Sequence, residues 1–292
     1  MPELPEVESL TRFLADHLVG RTVERVYPVA VHALKTYDPP VTALEGLIFD
    51  GAGRHGKFLD LRAGELHLVV HLARAGWVRW SESMSTDAPR PGKGPLALRL
   101  RLTDPPEGGP GAGFDITEAG TQKHLAVYVV RNPQDVPGIA RLGPDPLSPD
   151  FTLESFTALL AAERRQIKGV LRDQSVLAGI GNAYSDEILH AARMSPFKLA
   201  ANLSEEEVTA LHQVIGTTLT EAVQRAEGLP LRDLKAEKKS GLRVHGRTGE
   251  PCPVCGDTIR EVSFADSSLQ YCPTCQTGGK PLADRRLSRL LK

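Results

Sequence analysis

Cys252-Pro253-Val254-Cys255, then sixteen residues, then Cys272-Pro273-Thr274-Cys275: every cysteine of this 292-residue chain falls in that window. Two C-x2-C knuckles at this separation supply four thiolates that can close a tetrahedron around one Zn²⁺. Disulfides are the alternative reading, disfavoured in a reducing cytoplasm by a chain with no cysteine elsewhere. Four protein ligands leave no position for water or substrate, so the metal is expected to hold a fold rather than do chemistry. Between the knuckles, residues 258–264 and 269–271 read as two short strands around Ala265-Asp266-Ser267-Ser268. The result is a zinc-pinned β-hairpin, too small to bury a core of its own and stabilised by its metal.

Working outward, the flanks of the hairpin are basic although the whole chain carries a formal net charge of −1. Arg232, Lys235, Lys238, Lys239, Arg243 and Arg247 precede it against Asp233 and Glu237, and Lys280, Arg285, Arg286, Arg289 and Lys292 follow it against Asp284. Such clustering is either a solvated face or the footprint of a polyanion.

Upstream, helical periodicity runs over 150–165, 167–173, 182–194 and 204–227, the last opened by the capping pair Ser204 and Glu207 and closed by Gly228. Between the second and third of these lies Leu177-Ala178-Gly179-Ile180-Gly181-Asn182-Ala183-Tyr184. Two glycines before a helix whose start Asn182 can cap expose several N–H groups, which suits an anion, though it equally suits a chain reversal. Before them, residues 132–149 carry five prolines and read as a linker.

Residues 1–131 alternate short β-like runs with turns, at 22–29, 47–50, 57–61, 66–72, 77–80, 96–102 and 124–130, the pattern of a β-sandwich or barrel. The exception is an amphipathic helix over 6–18 with Leu10, Phe13, Leu14 and Leu18 on one face. Residues 104–113, rich in glycine and proline, read as a mobile loop. The expected domains are thus a β-sandwich (1–131), which the resemblance given below makes the catalytic domain, the linker (132–149), a helical unit (150–240), and a zinc finger with a basic tail (241–292). The fold class is α+β, multidomain. No run of eighteen apolar residues and no secretory leader occurs, so a cytoplasmic location away from membranes is the expectation.

The chain opens Met1-Pro2-Glu3-Leu4-Pro5-Glu6-Val7-Glu8. By residue counting alone this is as much a frayed acidic leader as a chemical site. Taken together, however, six stretches in collinear order resemble the formamidopyrimidine-DNA glycosylase and endonuclease VIII family of bacterial base-excision repair enzymes. They are Pro2 to Glu8, Gly53-Arg54-His55-Gly56-Lys57-Phe58-Leu59, His71-Leu72-Ala73-Arg74-Ala75-Gly76, Leu142-Gly143-Pro144-Asp145-Pro146-Leu147, the stretch from Ile167-Lys168 to Tyr184, and the finger from Gly246-Arg247 to Gln276.

The resemblance implies a bifunctional DNA glycosylase and abasic-site lyase acting on double-stranded DNA with a damaged or abasic nucleotide, and a monomer is expected. Removal of Met1 leaves Pro2 a secondary amine whose pKa, near 8, makes it a nucleophile at neutral pH. By the same resemblance Glu3 moves protons, Glu6 supports the amine or its helix, and Lys57 is general acid and phosphate contact. Arg164, Lys168 and Asn182, with the N–H groups of the Gly181 turn, would hold phosphates from a helix-two-turn-helix unit.

This chain also departs from the family pattern. Arg74 stands where many members place a methionine that fills the gap left by a flipped nucleotide, and His124 and Leu125 replace an arginine and a phenylalanine of the companion loop. Ser267 stands where the hairpin usually carries a phosphate-gripping arginine, and Gly92-Lys93-Gly94-Pro95 replaces a histidine-bearing strand. Lys280, Arg285, Arg286 and Arg289 are available to compensate. Two other readings follow: a damage-binding protein of the same fold with impaired catalysis, and a small-molecule enzyme using its terminal proline as a base. Zinc and the glycine turn argue against the latter.

Overall fold

A computed structural model describes residues 1–90, 94–103, 111–264 and 267–283. The chain divides into two compact units: residues 1–141 with 226–235, and residues 142–225 with 236–292.

The first unit opens with helix α1, Leu4–Leu18, followed by strands β1 (Val23–Pro28), β2 (Phe49–His55), β3 (Phe58–Ala63), β4 (Leu66–His71), β5 (Gly76–Ser81), β6 (Leu96–Leu102), β7 (Gly113–Glu118) and β8 (Ala126–Val130). All pairings are antiparallel and build two four-stranded sheets, ordered β1-β6-β7-β5 and β2-β3-β4-β8. Inward-facing residues of both, among them Val26, Phe49, Leu61, Leu68, Leu100 and Phe114, form one core, the β-sandwich that the strand spacing predicts.

Helix α1 packs Val7, Leu10, Leu14 and Leu18 into that core, residues three and four apart on one stripe. It begins two residues earlier than the periodicity suggests. Pro5 is tolerated there because the N–H groups of a first helical turn have no intrahelical partner to lose. Phe13 lies beside the stripe, packed only at the margin of the core.

Glycine masks the second half of one strand and the whole of another. Strand β2 runs through Gly51-Ala52-Gly53-Arg54-His55, five residues beyond the expected end. Strand β7 starts at Gly113, inside the segment read as a loop, and Ala112 already accepts from the Leu102 N–H. A side chain at Gly113 would put its Cβ 2.3 Å from the Leu100 carbonyl oxygen, so glycine here serves close strand approach rather than mobility. The rest of that expected loop, 104–110, lies outside the described residues, as do Gly92, Lys93, Ala265, Asp266 and the tail from 284.

The second unit holds α2 (Leu153–Ala161), α3 (Ile167–Arg172), α4 (Asn182–Ala191) and α5 (Glu205–Arg225). Helix α6 (Leu234–Gly241), which the sequence reading lacks, starts at the end of the 226–235 segment; β9 (Arg260–Ser263), β10 (Ser268–Tyr271) and α7 (Pro273–Thr277) complete the finger. Phe156, Ile188, Leu211, Ile215 and Leu219 are buried where α2 and α4 meet α5. Ser204 and Glu207 make the reciprocal cap expected at the start of α5, at 2.9 and 3.3 Å. Helix α2 is shorter than its pattern and leaves Glu163-Arg164-Arg165 beyond its end. Among the described residues, no helix is long and apolar enough to cross a membrane.

Candidate active site and nucleic-acid interface

The first residues are no frayed leader. Pro2 is buried, and Glu3 and Glu6 are only 2% and 5% exposed. Glu3 is the N-cap of α1, its N–H donates to the Glu6 carboxylate at 2.8 Å, and the two residues form a capping box. This fixes the entry of the chain into the helix and hence where Pro2 stands. Met1, half exposed, is the outer end of the segment.

Lys57 sits at the tip of the β2–β3 hairpin, where His55 faces Phe58 across a two-residue loop. Gly56 has φ of 54°, the positive value that the first position of a II′ hairpin turn demands and that only glycine adopts at little cost. Despite its place on a turn, Lys57 is buried. The Phe58 ring lies 4.7 Å from that of His71, its cross-strand partner. Burial and the nearby Lys57 charge push the His71 imidazole down to about 4, so it is neutral at physiological pH.

Helix α1 and this hairpin are tied directly. Arg54 reaches Glu8 at 2.6 Å, and the Thr11 hydroxyl reaches the Gly53 carbonyl at 3.4 Å. Burial works to raise the Glu8 pKa, but hydrogen bonds and charge from Arg12 and Arg54 outweigh it and hold the carboxyl low. Asp60, gripped by His55 at 3.0 Å and His67 at 2.7 Å, is likewise kept ionised against its burial. Sequence reading missed Glu8, Arg54 and Asp60 as supports because each pairing spans strands or elements.

Arg74 is exposed on the four-residue loop between β4 and β5. The loop is tight: Gly76 N–H donates to the Leu72 carbonyl at 2.8 Å, a Cβ at Gly76 would lie 2.1 Å from that oxygen, and Ala73 takes φ of 52°. A non-glycine residue in that conformation costs on the order of 1–3 kcal/mol. The loop carrying His124 lies alongside, since Ala119 N–H donates to the Ala75 carbonyl. Buried Glu118 pins it by accepting from His124 and Leu125 N–H groups at 2.7 and 2.9 Å. His124 is exposed, whereas Leu125 is 1% exposed and belongs to the core; it is no surface substitute for an aromatic wedge.

In the second unit, the turn between α3 and α4 is built by Gln174, which accepts from Gly179 N–H at 3.0 Å and donates to the Ile180 carbonyl at 2.7 Å. Gly181, not Asn182, is the N-cap of α4. Asn182 instead donates its side-chain amide to the Ser268 carbonyl of β10 at 2.7 Å. Lys168 is buried, its ammonium held by Asp186 at 2.6 Å, Ser185 at 2.8 Å and the Asn182 carbonyl at 3.3 Å. Arg164 is exposed beyond α2, beside Arg165, which bridges Glu163 and Asp173.

Asp186 and Glu187 are the principal residues that sequence reading missed. Asp186 also takes His245 Nδ1 at 2.7 Å and the Gln270 N–H at 3.2 Å, while Glu187 accepts three consecutive N–H groups from Arg243, Val244 and His245. Burial raises the Glu187 pKa against those bonds. Adjacent acids in a helix look like a solvated face; only the fold shows that they fasten α4 to the finger.

The four cysteine Sγ atoms lie within 4.8 Å of one another, with Cys255 3.3 Å from Cys272 and Cys252 3.9 Å from Cys275. Tetrahedral zinc thiolates at about 2.3 Å separate their sulfurs by about 3.8 Å, so the set fits one Zn²⁺ with adjustments of about 1 Å or less in the sulfur–sulfur distances. Burial holds the Cys272 thiol high and Cys275 at about 11, so a bound metal displaces protons there. His190 of α4 places Nε2 3.3 Å from Cys252 Sγ, a partner that no motif reveals.

These features coincide with known proteins. The formamidopyrimidine-DNA glycosylase N-terminal domain matches residues 1–109, the H2TH domain of the same enzymes residues 142–232, and the zinc finger found in FPG and IleRS residues 249–278. The formamidopyrimidine-DNA glycosylase of Symbiobacterium thermophilum is 37% identical over 98% of this chain and 93% of its own. An uncharacterized formamidopyrimidine-DNA glycosylase-like protein of Mycobacterium tuberculosis is 62% identical over 52% of this chain and 94% of its own. Among solved structures, Lactococcus lactis Fpg non-covalently bound to DNA with an AP site superposes with a TM-score of 0.80 at 28% identity, covering 94% of this chain and 99% of that one. MutM (Fpg) from Thermus thermophilus gives 0.77 at 31% identity, covering 96% and 100%. The chain belongs to the formamidopyrimidine-DNA glycosylase family, whose members are bifunctional glycosylases and AP lyases.

Proposed function

We propose that the protein excises damaged bases from duplex DNA through a covalent intermediate on Pro2 and then cleaves the abasic strand. The observation that carries this reading is the N-terminus itself: Pro2 buried beside the capping pair Glu3 and Glu6, on a helix tied to the Lys57 hairpin.

After loss of Met1, the Pro2 nitrogen holds a lone pair and attacks C1′ of a nucleotide flipped from the duplex. The C1′–N bond to the base breaks, and the base leaves with a proton supplied in the site. The nitrogen gives up its N–H proton, and its lone pair then opens the sugar C1′–O4′ bond to an iminium, with Glu3 delivering a proton to O4′. The iminium acidifies C2′–H; its removal expels the 3′ phosphate by β-elimination, and water then hydrolyses the iminium to free Pro2. Lys57, positively charged beside neutral His71, stabilises the phosphate at the reacting sugar. Zinc takes no part in these steps: bound by Cys252, Cys255, Cys272 and Cys275, it would hold the finger against α4.

DNA contacts are assigned to Arg74 and His124 on adjoining loops of one unit, and to Arg164, the Gly181 turn and Asn182 on the other. Lys168, engaged with Asp186, acts by fixing the α3–α4 turn, and its contact to phosphate runs through that turn. The proposed substrate is bacterial DNA in the cytoplasmic nucleoid, met by a monomer. Duplexes containing a formamidopyrimidine or an abasic site test the proposal. Native protein is expected to release the base and nick the strand, and Pro2→Gly to bind without nicking. Equal nicking by both would overturn it. A second reading, a damage binder with impaired catalysis, is favoured by Ser267 and predicts binding without nicking by the native protein as well.

A further inference from the structure

The C-terminal end of α1 carries a feature that the proposed chemistry leaves unused. Phe13 and His17 stack at 3.8 Å with planes 13° apart, and Trp80 of β5 meets both edge-on at 5.9 and 5.2 Å. These rings line one side of a cavity of about 590 Å³. Fifteen residues of helix rise put His17 about 20 Å from Pro2, so the cavity is remote from the N-terminal site. Its other side is formed by Trp77, Arg79 and the segment from Pro230 to Lys235.

This side is cationic. Lys235 Nζ lies 4.5 Å from the Trp77 ring centre, and Arg232 also faces the cavity. Burial, and then the like charge of Arg79, lower the Lys235 pKa, which places the two cations within electrostatic reach of each other. Among the described residues no carboxylate is ion-paired with either. The lining's one carboxylate, Glu82, accepts the Trp80 indole N–H at 2.7 Å. Arg232 is answered by Asp233 at 3.8 Å, but Arg79 and Lys235 are paired with no carboxylate among the described residues and favour an anion between them. The Phe13–His17 stack and Trp80, whose ring centre lies 5.9 Å from the Arg21 guanidinium, give that anion an aromatic wall on which a planar ring can pack.

We propose that this cavity is a second ligand site, for a nucleoside monophosphate, with its base against Phe13, His17 and Trp80 and its phosphate between Arg79 and Lys235. The volume lies in the range of small-molecule sites and accommodates one nucleotide. A purely apolar ligand would leave the cations unanswered, and a small inorganic anion would leave the aromatic wall bare. Both a free nucleotide and the terminal nucleotide of a single strand present this chemistry.

Trp77 and Trp80 are the only tryptophans in the chain, so intrinsic fluorescence reports on this cavity directly. Titration of the full chain with dGMP is expected to quench it saturably with a Kd of about 1 mM or tighter. Deoxyguanosine or inorganic phosphate alone should bind roughly ten-fold more weakly or worse. Trp80→Leu, which keeps Trp77 as reporter, and the charge reversal Arg79→Glu with Lys235→Glu should each abolish saturation while circular dichroism and the thermal midpoint hold. A 5′-phosphorylated trinucleotide distinguishes the sources: tighter binding than dGMP assigns the site to a strand end, equal binding to the free nucleotide. Absence of saturation at several millimolar dGMP, or saturation surviving both variants, would overturn the proposal. No damaged DNA enters the assay, so its outcome is independent of the excision reading.

Discussion

Ser267 and His71 are each a place where a positive charge is absent. Ser267, at the base of β10, offers the hairpin a hydroxyl where the family pattern has a guanidinium. Ser267→Arg is expected to tighten binding to abasic-site duplex and to steepen the dependence of log K on log salt by about one, as one added phosphate contact does. An unchanged slope in a filter-binding series would show that the finger does not reach the backbone there. His71 makes a different prediction. It is held neutral down to about 4, against an ordinary value of 6.5, by burial and then by the Lys57 charge. As pH falls from 6.5 to 4 the unfolded chain takes up a proton that the folded chain refuses, so stability declines through that window, by roughly 3 kcal/mol from this group. Above pH 6.5 its contribution is constant. His71→Gln should flatten that part of the stability-pH curve measured by urea unfolding, and a curve of unaltered slope would contradict the assignment.

Among the elements, α4 does the most joining. Its Asp186 and Glu187 gather Lys168 from α3, the 243–245 backbone, and β10, while His190 reaches the cysteine cluster. Removing one partner of a buried pair strands the other, so Lys168→Ala should cost about 3–5 kcal/mol in unfolding free energy. The double variant with Asp186→Asn should cost less than the sum of the single ones, because the two side chains form one interaction. Additive costs in denaturant titrations would mean that the pair is not coupled. His190→Phe removes the ring nitrogen that lies 3.3 Å from Cys252 Sγ and should speed zinc transfer to a chromogenic chelator, with affinity lower by about ten-fold or more, as loss of outer-shell hydrogen bonds to metal ligands commonly is. A release rate equal to that of the native protein would leave His190 as packing alone.

At the scale of the whole molecule, what the sequence made legible follows from how local each signal is. The finger was readable because four cysteines at fixed spacing have few other uses, and α1 and α5 because their apolar stripes and caps are written within a few residues. Strand β7 was not, because Gly113 is selected by the neighbouring Leu100 carbonyl, a contact that spacing does not encode. The supports of the site, Glu118, Asp186 and Glu187, were invisible for the same reason: a carboxylate that caps a distant backbone looks in sequence like any solvated acid. Pro2 was the reverse case, ambiguous by composition: its burial and the capping of α1 exclude a frayed leader, and its chemistry is the proposal made above. The account stands on a bond between that residue and DNA. Reaction of the protein with abasic duplex in the presence of borohydride, followed by digestion and peptide mass mapping, tests it most directly. The predicted result is an N-terminal peptide without Met1, carrying the reduced sugar on Pro2; an adduct on any lysine, or none beside an intact Met1, would contradict it.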